Sequence, residues 1–535
     1  YKIGDGEVVL SPSAKNPYTG GTVIEKGTLT VNKHGEALND GKVTVESGAT
    51  LNIDSVVLSL TQGLNLSGDG AGGVGALTGT GTAGYSGGIT LVSNASVGAA
   101  DATGPTKDEL TLSGKIEGSG GLTKVGAGKV VLGNGTSVYS GGTTVTGGTL
   151  ETSVASALPA PSVPPKSGDV SIGSSGVLDL QGNAQSIGTL SGEGRVDLWG
   201  GTLTVRDGNF TGQLVGTTAS SLTKTSSGIL ILGNSKSLGN TLGSTTIEAG
   251  KLTAANAKAL GDGSVTVAIG GTLNIDNVNL SLANGLELSG TGAGGMGALT
   301  GTGTAGYIGR ISLLADAQVT ASSASDRLSL NGVIKGGGQA LTIAGSGTVV
   351  LARGVSDARS IEQLATSRID LGSGQTVKTE AGQVYHGVVT GTDVRLTSTL
   401  GGSIEAVDAR NDFIGLVTVS GKDVTLGDKN TLDLTAAVSG NLSTSSGDLT
   451  IRGDVGGNLV TTTTGPVALG LTKVVGTAEF NAGGPVTQSD DVQVSGKTTI
   501  TAPGQNITLN RSGNDFGGLV TVSGKDVTLG DKNTL

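Results

Sequence analysis

A long block of this chain is written twice. Lys42 through Tyr85 reappears as Ser264 through Tyr307 at a constant offset of 222. Thr50-Leu51-Asn52-Ile53-Asp54 returns as Thr272-Leu273-Asn274-Ile275-Asp276, and Gly75 through Tyr85 returns unchanged as Gly297 through Tyr307. A repeat of this kind is the mark of a fold made of stacked units, in which each unit buries its apolar face only against its neighbours.

Two further repeats subdivide the chain. A short marker reads Lys2-Ile3-Gly4-Asp5-Gly6-Glu7-Val8-Val9-Leu10 and recurs at Lys124 to Leu132, Lys224 to Leu232 and Ile343 to Leu351. Near the C-terminus, a 22-residue string from Asn411-Asp412-Phe413 to Leu432 recurs from Asn514 to Leu535 with one difference, Ile414 against Gly517. Tyr1 and Leu535 both fall inside repeats, so the expectation is a segment of something longer that continues at both ends.

Within the units the pattern has period two. Thr28-Leu29-Thr30-Val31, Lys42-Val43-Thr44-Val45 and Thr50-Leu51-Asn52-Ile53 alternate polar or β-branched residues with aliphatics, which places Leu29, Val43, Val45, Leu51 and Ile53 on one inward face. Gly, Asn, Asp and Ser close the strands, as in Glu46-Ser47-Gly48 and Gly133-Asn134-Gly135. With 98 Gly among 535 residues, a flexible linker is the rival reading. A 35% hydrophobic fraction and a mean hydropathy of +0.10 oppose it, because disordered chains lack apolar area to bury. A β-sandwich array also fits strands of this spacing. Sandwiches want aromatic anchors, and aromatics are only 2% here. The expected fold is all-β, a right-handed parallel β-helix (β-solenoid) rod of roughly 20–24 residues per coil. On the order of 24 coils at ~4.8 Å each give about 115 Å. The Gly-rich stretches 68–84 and 290–306 are expected to project from it, since so many residues without side chains would leave voids inside. Ser356 to Thr366 lacks Gly and has Ile361 and Leu364 three apart, so 354–371 reads as a junction, a short helix or a loop.

Gly141-Gly142-Thr143-Thr144-Val145-Thr146-Gly147-Gly148-Thr149-Leu150, preceded by Leu122 to Gly128, resembles the autotransporter-associated β-strand repeat, as does Gly182 to Gly192. This resemblance covers about 1–353. Gly382-Gln383-Val384-Tyr385 and the Asn-Asp-Phe strings make 372–535 similar to filamentous-haemagglutinin-like repeats. Both resemblances imply Gram-negative secretion, a β-helical passenger and surface adhesion.

The chemistry is sparse. Net charge is −10 and the 33 basic residues are scattered, so no cationic stripe exists for nucleic acid. Absence of Cys excludes disulfides and thiolate metal sites and fits a chain exported before it folds. No apolar run reaches ~18 residues, so no membrane insertion is expected within the segment. His34 and His386 lie in different repeat families and read as surface residues. Glu405, Asp408, Arg410 and Asp412 form the densest group of the sort a glycosidase uses. Asp412 recurs as Asp515, which favours a turn. Gly68 to Gly73 and Gly290 to Gly295 fit the dinucleotide pattern without a helix to follow. The Asp-rich nonapeptide of calcium-binding coils is not seen. Arg452-Gly453-Asp454 spells an integrin-binding tripeptide near an expected turn, a possible adhesive motif.

The sequence therefore points to a non-enzymatic structural shaft of an extracellular bacterial surface fibre or adhesin, without cofactors. Its partners would be further copies or repeats of the same fibre, and receptors or glycans on host or neighbouring cells. The alternative is a secreted carbohydrate-active β-helix or a phage tailspike-like rod. A groove with clustered acids and aromatics would favour it, and Trp199, the only tryptophan, is by itself poor material for sugar stacking.

Overall fold

The computed structural model describes residues 1–39, 41–101, 107–161, 168–233 and 239–533. Two compact units make up the chain, Tyr1–Thr266 and Val267–Leu535. Each is a parallel β-solenoid, and the chain completes about 24 turns. Among the described residues the helical turns are two three-residue 3-10 segments, Ala71–Gly73 and Ala293–Gly295.

In the first unit one coil lies on the next in register. Gly27–Asn32 pairs residue for residue with Ala49–Asp54, 22 positions on. Val43–Val45 pairs in turn with Leu64–Gly68. The inward column runs Leu29, Leu51, Leu77, Val97. Leu29, Val43, Val45, Leu51 and Ile53 are all buried, as the period-two spacing predicts. The second unit stacks in the same way on coils of varied length: Asn274 pairs with Thr300 at a spacing of 26, and Thr431–Val438 with Asp448–Val455 at a spacing of 17.

The Gly-rich stretches do not project as expected. Leu77–Thr80 and Thr82–Tyr85 are wall strands, with Leu77, Ala83 and Tyr85 buried. Leu299–Thr302 and Thr304–Ile308 repeat this in the second unit. Only the segments around the two 3-10 turns leave the wall. The voids do not arise because neighbours fill them: a Cβ on Gly79 would lie 2.8 Å from Leu110 Cβ, and one on Gly301 would lie 3.0 Å from Leu328 Cβ. Each glycine makes room for a leucine of the following coil.

Residues 354–371 also depart from expectation. They form the strands Val355–Ala358 and Ser360–Gln363 and the start of Arg368–Ser373, and no helix. Ile361 is inward and Leu364 sits at an exposed corner, so their spacing of three marks no helix face. Gln363 fills the inward slot two residues after Ile361, donating from Nε2 to Ser367 O at 2.8 Å and Val388 O at 3.1 Å.

Candidate functional site

The titratable groups singled out by sequence do not converge. His386 is exposed, and His34 takes the Glu36 N–H at 3.1 Å in a local turn. Asp408 pairs with Arg410 at 2.5 Å, and that guanidinium holds its carboxyl below the usual carboxylate range. Asp412 turns the other way, to Lys429 at 2.7 Å and Asn430 Nδ2 at 3.0 Å. Glu405 stands exposed on a third strand, Ile404–Ala406. Among the described residues no three His, Asp or Glu side chains are placed to hold a metal ion. Neither Gly-rich pattern opens a helix that could receive a pyrophosphate.

Arg452-Gly453-Asp454 lies inside the strand Asp448–Val455, not at the turn its sequence suggested. Arg452 reaches Asp433 on the preceding coil at 2.8 Å. Gly453 has φ 115 where the register to the next strand shifts, and a Cβ there would lie 2.0 Å from Ala436 O. Asp454 is exposed. A bulge on a wall strand, which only glycine fits, accounts for the tripeptide's middle residue.

The marker motif proves to be built on a buried ammonium. Lys124 takes an inward position between Val97 and Val145, yet it is 0% exposed. Its Nζ donates to Val125 O at 2.9 Å, Gly126 O at 2.8 Å and Gly147 O, one coil on, at 3.1 Å. All three ammonium protons are thereby used. Burial without a facing carboxylate pushes its pKa down to about 8. Lys224, between Val205 and Ile247, donates to Ser226 O at 2.5 Å and Ala249 O at 3.3 Å. Its burial lowers the pKa, and Asp207 at 3.5 Å opposes that. Lys2 bonds Gly4 O and, at 2.8 Å, Lys26 O. In the fourth marker Ile343 supplies an ordinary aliphatic plug. Sequence reasoning found the motif and missed this clasp, because lysine in a strand is read as outward.

The Asn-Asp-Phe strings are corner pieces. Asn411 is fully buried and accepts from Val389 N at 2.8 Å. It donates to Ala406 O at 3.0 Å and Gly427 O at 3.2 Å, so one side chain ties three coils. Asn514 repeats this with Val492 N at 2.9 Å, Leu509 O at 3.0 Å and Gly530 O at 3.2 Å. Phe413 enters the core, while Asp428, its carboxyl pushed up by burial, accepts the Phe413 N–H at 2.7 Å.

One outward face of the first unit gathers acids. Register aligns Glu151, Asp179 and Asp197 on three successive coils. Asp197 is 7% exposed and bonded to Arg195 Nε. Burial raises its pKa, Arg195 opposes that and Asp179 adds to it. Two residues on, Trp199 stands in the open at the corner.

Comparison with known sequences agrees with this construction. Residues 1–31 and 122–151 match the passenger-associated-transport-repeat. Each matched stretch holds a lysine clasp, its marker strand and the strand stacked on it. Residues 456–523 match a family of repeats of unknown function. Over 318 residues the chain is 31% identical to the adhesin BmaC autotransporter of Brucella suis biovar 1 (strain 1330), covering 55% of this chain and 9% of that protein. No helix among the described residues is long and apolar enough to cross a membrane. In its matched repeats, its relative and its coil, the chain is similar to the passenger repeats of autotransporters.

Proposed function

We propose that this chain is a structural, non-enzymatic shaft of an adhesin on the outer surface of a Gram-negative bacterium. The carrying observation is the 318-residue likeness to an autotransporter adhesin. The fate of the polar groups supports it: Asp408, Asp412, Asn411, Lys124 and Lys224 all bond their own coils and corners. In this reading 1–353 is the autotransporter-type part, 354–371 the junction, and 372–535 a filamentous-haemagglutinin-like continuation of the same coil. Further repeats or copies of the fibre, and receptors or glycans on other cells, are its partners. The test is to display residues 1–535 on a non-adherent Gram-negative host and count cells retained on epithelial monolayers. Retention several-fold above the empty display vector is expected, and equal retention overturns the reading. Arg452-Gly453-Asp454 is a second adhesive locus to test in the same assay through Asp454→Ala, which leaves the bulge intact.

A further inference from the structure

Trp199 occupies a position that packing does not explain. Tyr85, Tyr139, Tyr307, Tyr385, Phe210, Phe413, Phe480 and Phe516 lie inside the coil, whereas Tyr1, Tyr18 and Trp199 are outside it, Trp199 56% exposed. Its φ is 49, a left-handed conformation that bulky residues rarely adopt. The fold sets that conformation, not the indole. On the preceding coil, Leu180-Gln181-Gly182 stacks on Leu198-Trp199-Gly200 through Leu180 N to Asp197 O at 2.8 Å and Gly182 N to Leu198 O at 3.1 Å. Gln181 has φ 48 there. A glutamine serves this corner, so an exposed tryptophan forgoes the burial that makes aromatic rings useful to a fold.

The neighbours of that corner have free hydrogen-bonding capacity. Asp179 accepts Gln181 N at 3.0 Å and Gln181 Nε2 at 2.8 Å. Asp197 accepts Arg195, and Glu151 accepts Lys129 at 3.1 Å. A carboxylate has about four acceptor sites, so the partly exposed Asp179 and Glu151 keep lone pairs for a ligand, while the buried Asp197 holds Arg195. Parallel strands lie ~4.8 Å apart, so the carboxylates form a short ladder whose last rung, Asp197, is two residues before Trp199. An apolar ring at the end of a row of acceptors suits a ligand with a C–H face and a hydroxyl rim, which is a pyranose. Three carboxylates against Arg195 and Lys129 disfavour an anionic one.

We infer that Trp199, with Gln181, Asp179, Asp197, Arg195 and Glu151, is a binding site for a neutral glycan. The inference rests on the adhesin reading and names the class of partner. Because Trp199 is the only tryptophan, its emission reports on the site in the intact chain. Titration of the full chain with neutral hexasaccharides of glucose, mannose, galactose and N-acetylglucosamine should give a saturable emission shift with at least one of them. Trp199→Gln copies the residue already tolerated at the corner of the preceding coil, and should weaken that binding at least tenfold by calorimetry. Asp179→Asn combined with Asp197→Asn should weaken it as well while retaining the fluorophore. No shift with any of the four, a shift with heparin alone, or unchanged affinity in Trp199→Gln overturns the site. Cell display separates the two claims. If cells displaying Trp199→Gln attach as well as wild type, the glycan site fails and the adhesin reading stands. If wild-type display does not attach, the adhesin reading fails and the titration still decides the site.

Discussion

Leu51 shows what an inward position asks of a side chain. It is fully buried between Leu29 and Leu77, and its removal cannot be relieved by a wall held in register on both sides. Leu51→Ala should cost about 2–5 kcal/mol in denaturant unfolding. Gly453 asks the opposite. Gly453→Ala should destabilise the second unit, because its Cβ meets Ala436 O, while Asp454→Ala at the exposed end of the tripeptide should not. Any adhesion assay that uses only the glycine variant would therefore mistake a broken strand for a lost ligand. At this scale the sequence was legible wherever side chains alternate, as in Val43 and Val45. It was not legible where a polar residue faces inward, as with Lys124 and Gln363. Period-two reasoning assigns a residue's direction by its polarity, and these two side chains meet their hydrogen bonds inside the coil.

Corners and clasps act at the scale of the element. Asn411→Ala would leave Val389 N–H and the carbonyls of Ala406 and Gly427 without their partner, and each buried unpaired group costs about 1–3 kcal/mol. Hydrogen exchange should rise at Val389 and its strand Val388–Thr392 before the rest of the unit responds. The Asn-Asp-Phe string was legible as a repeat, but its role was not, since the donors and acceptors of Asn411 come from three separate strands. The clasp makes a prediction in pH. Lys124 loses its proton at about 8 when folded, against an ordinary 10.5. Between those values the unfolded chain binds more protons, so this lysine's contribution makes stability rise with pH across that window and stay flat below it. The difference between wild type and Lys124→Met in unfolding midpoint should therefore shift in favour of wild type from pH 8 to 10.5. A difference that stays constant over that range would show that the buried ammonium does not titrate there.

For the whole molecule the governing fact is that strand pairing joins each coil to its neighbours, with ion pairs such as Arg327–Asp370 and Arg359–Asp316 reaching one coil further. Stability is then close to a sum of coil and interface terms, so a lesion such as Leu51→Ala should open its own coils while distant ones stay protected from exchange. Uniform loss of protection over all 535 residues would contradict this. The coil itself was legible from the block duplicated at an offset of 222 and from the closing Gly and Asn residues. The alignment of Asp179 with Asp197, and of Gln181 with Trp199, was not, because coil length varies and only the register decides which outward residues meet. The lysine clasp bears on this variable register. Coils that resemble one another can dock one step early or late with little loss of apolar burial, as a misaligned zipper still closes. Lys124 meets Gly147 O, its one acceptor on the following coil, in one docking only. A slipped register would keep Val125 O and Gly126 O but leave the third ammonium proton buried without an acceptor, a penalty of about 1–3 kcal/mol. Lys2, Lys124 and Lys224 each make one such cross-coil bond, to Lys26 O, Gly147 O and Ala249 O, and should disfavour slipped windings of a repetitive chain. Refolded Lys124→Met should accordingly yield a mixture of exchange patterns around Leu122–Val125 where wild type gives one.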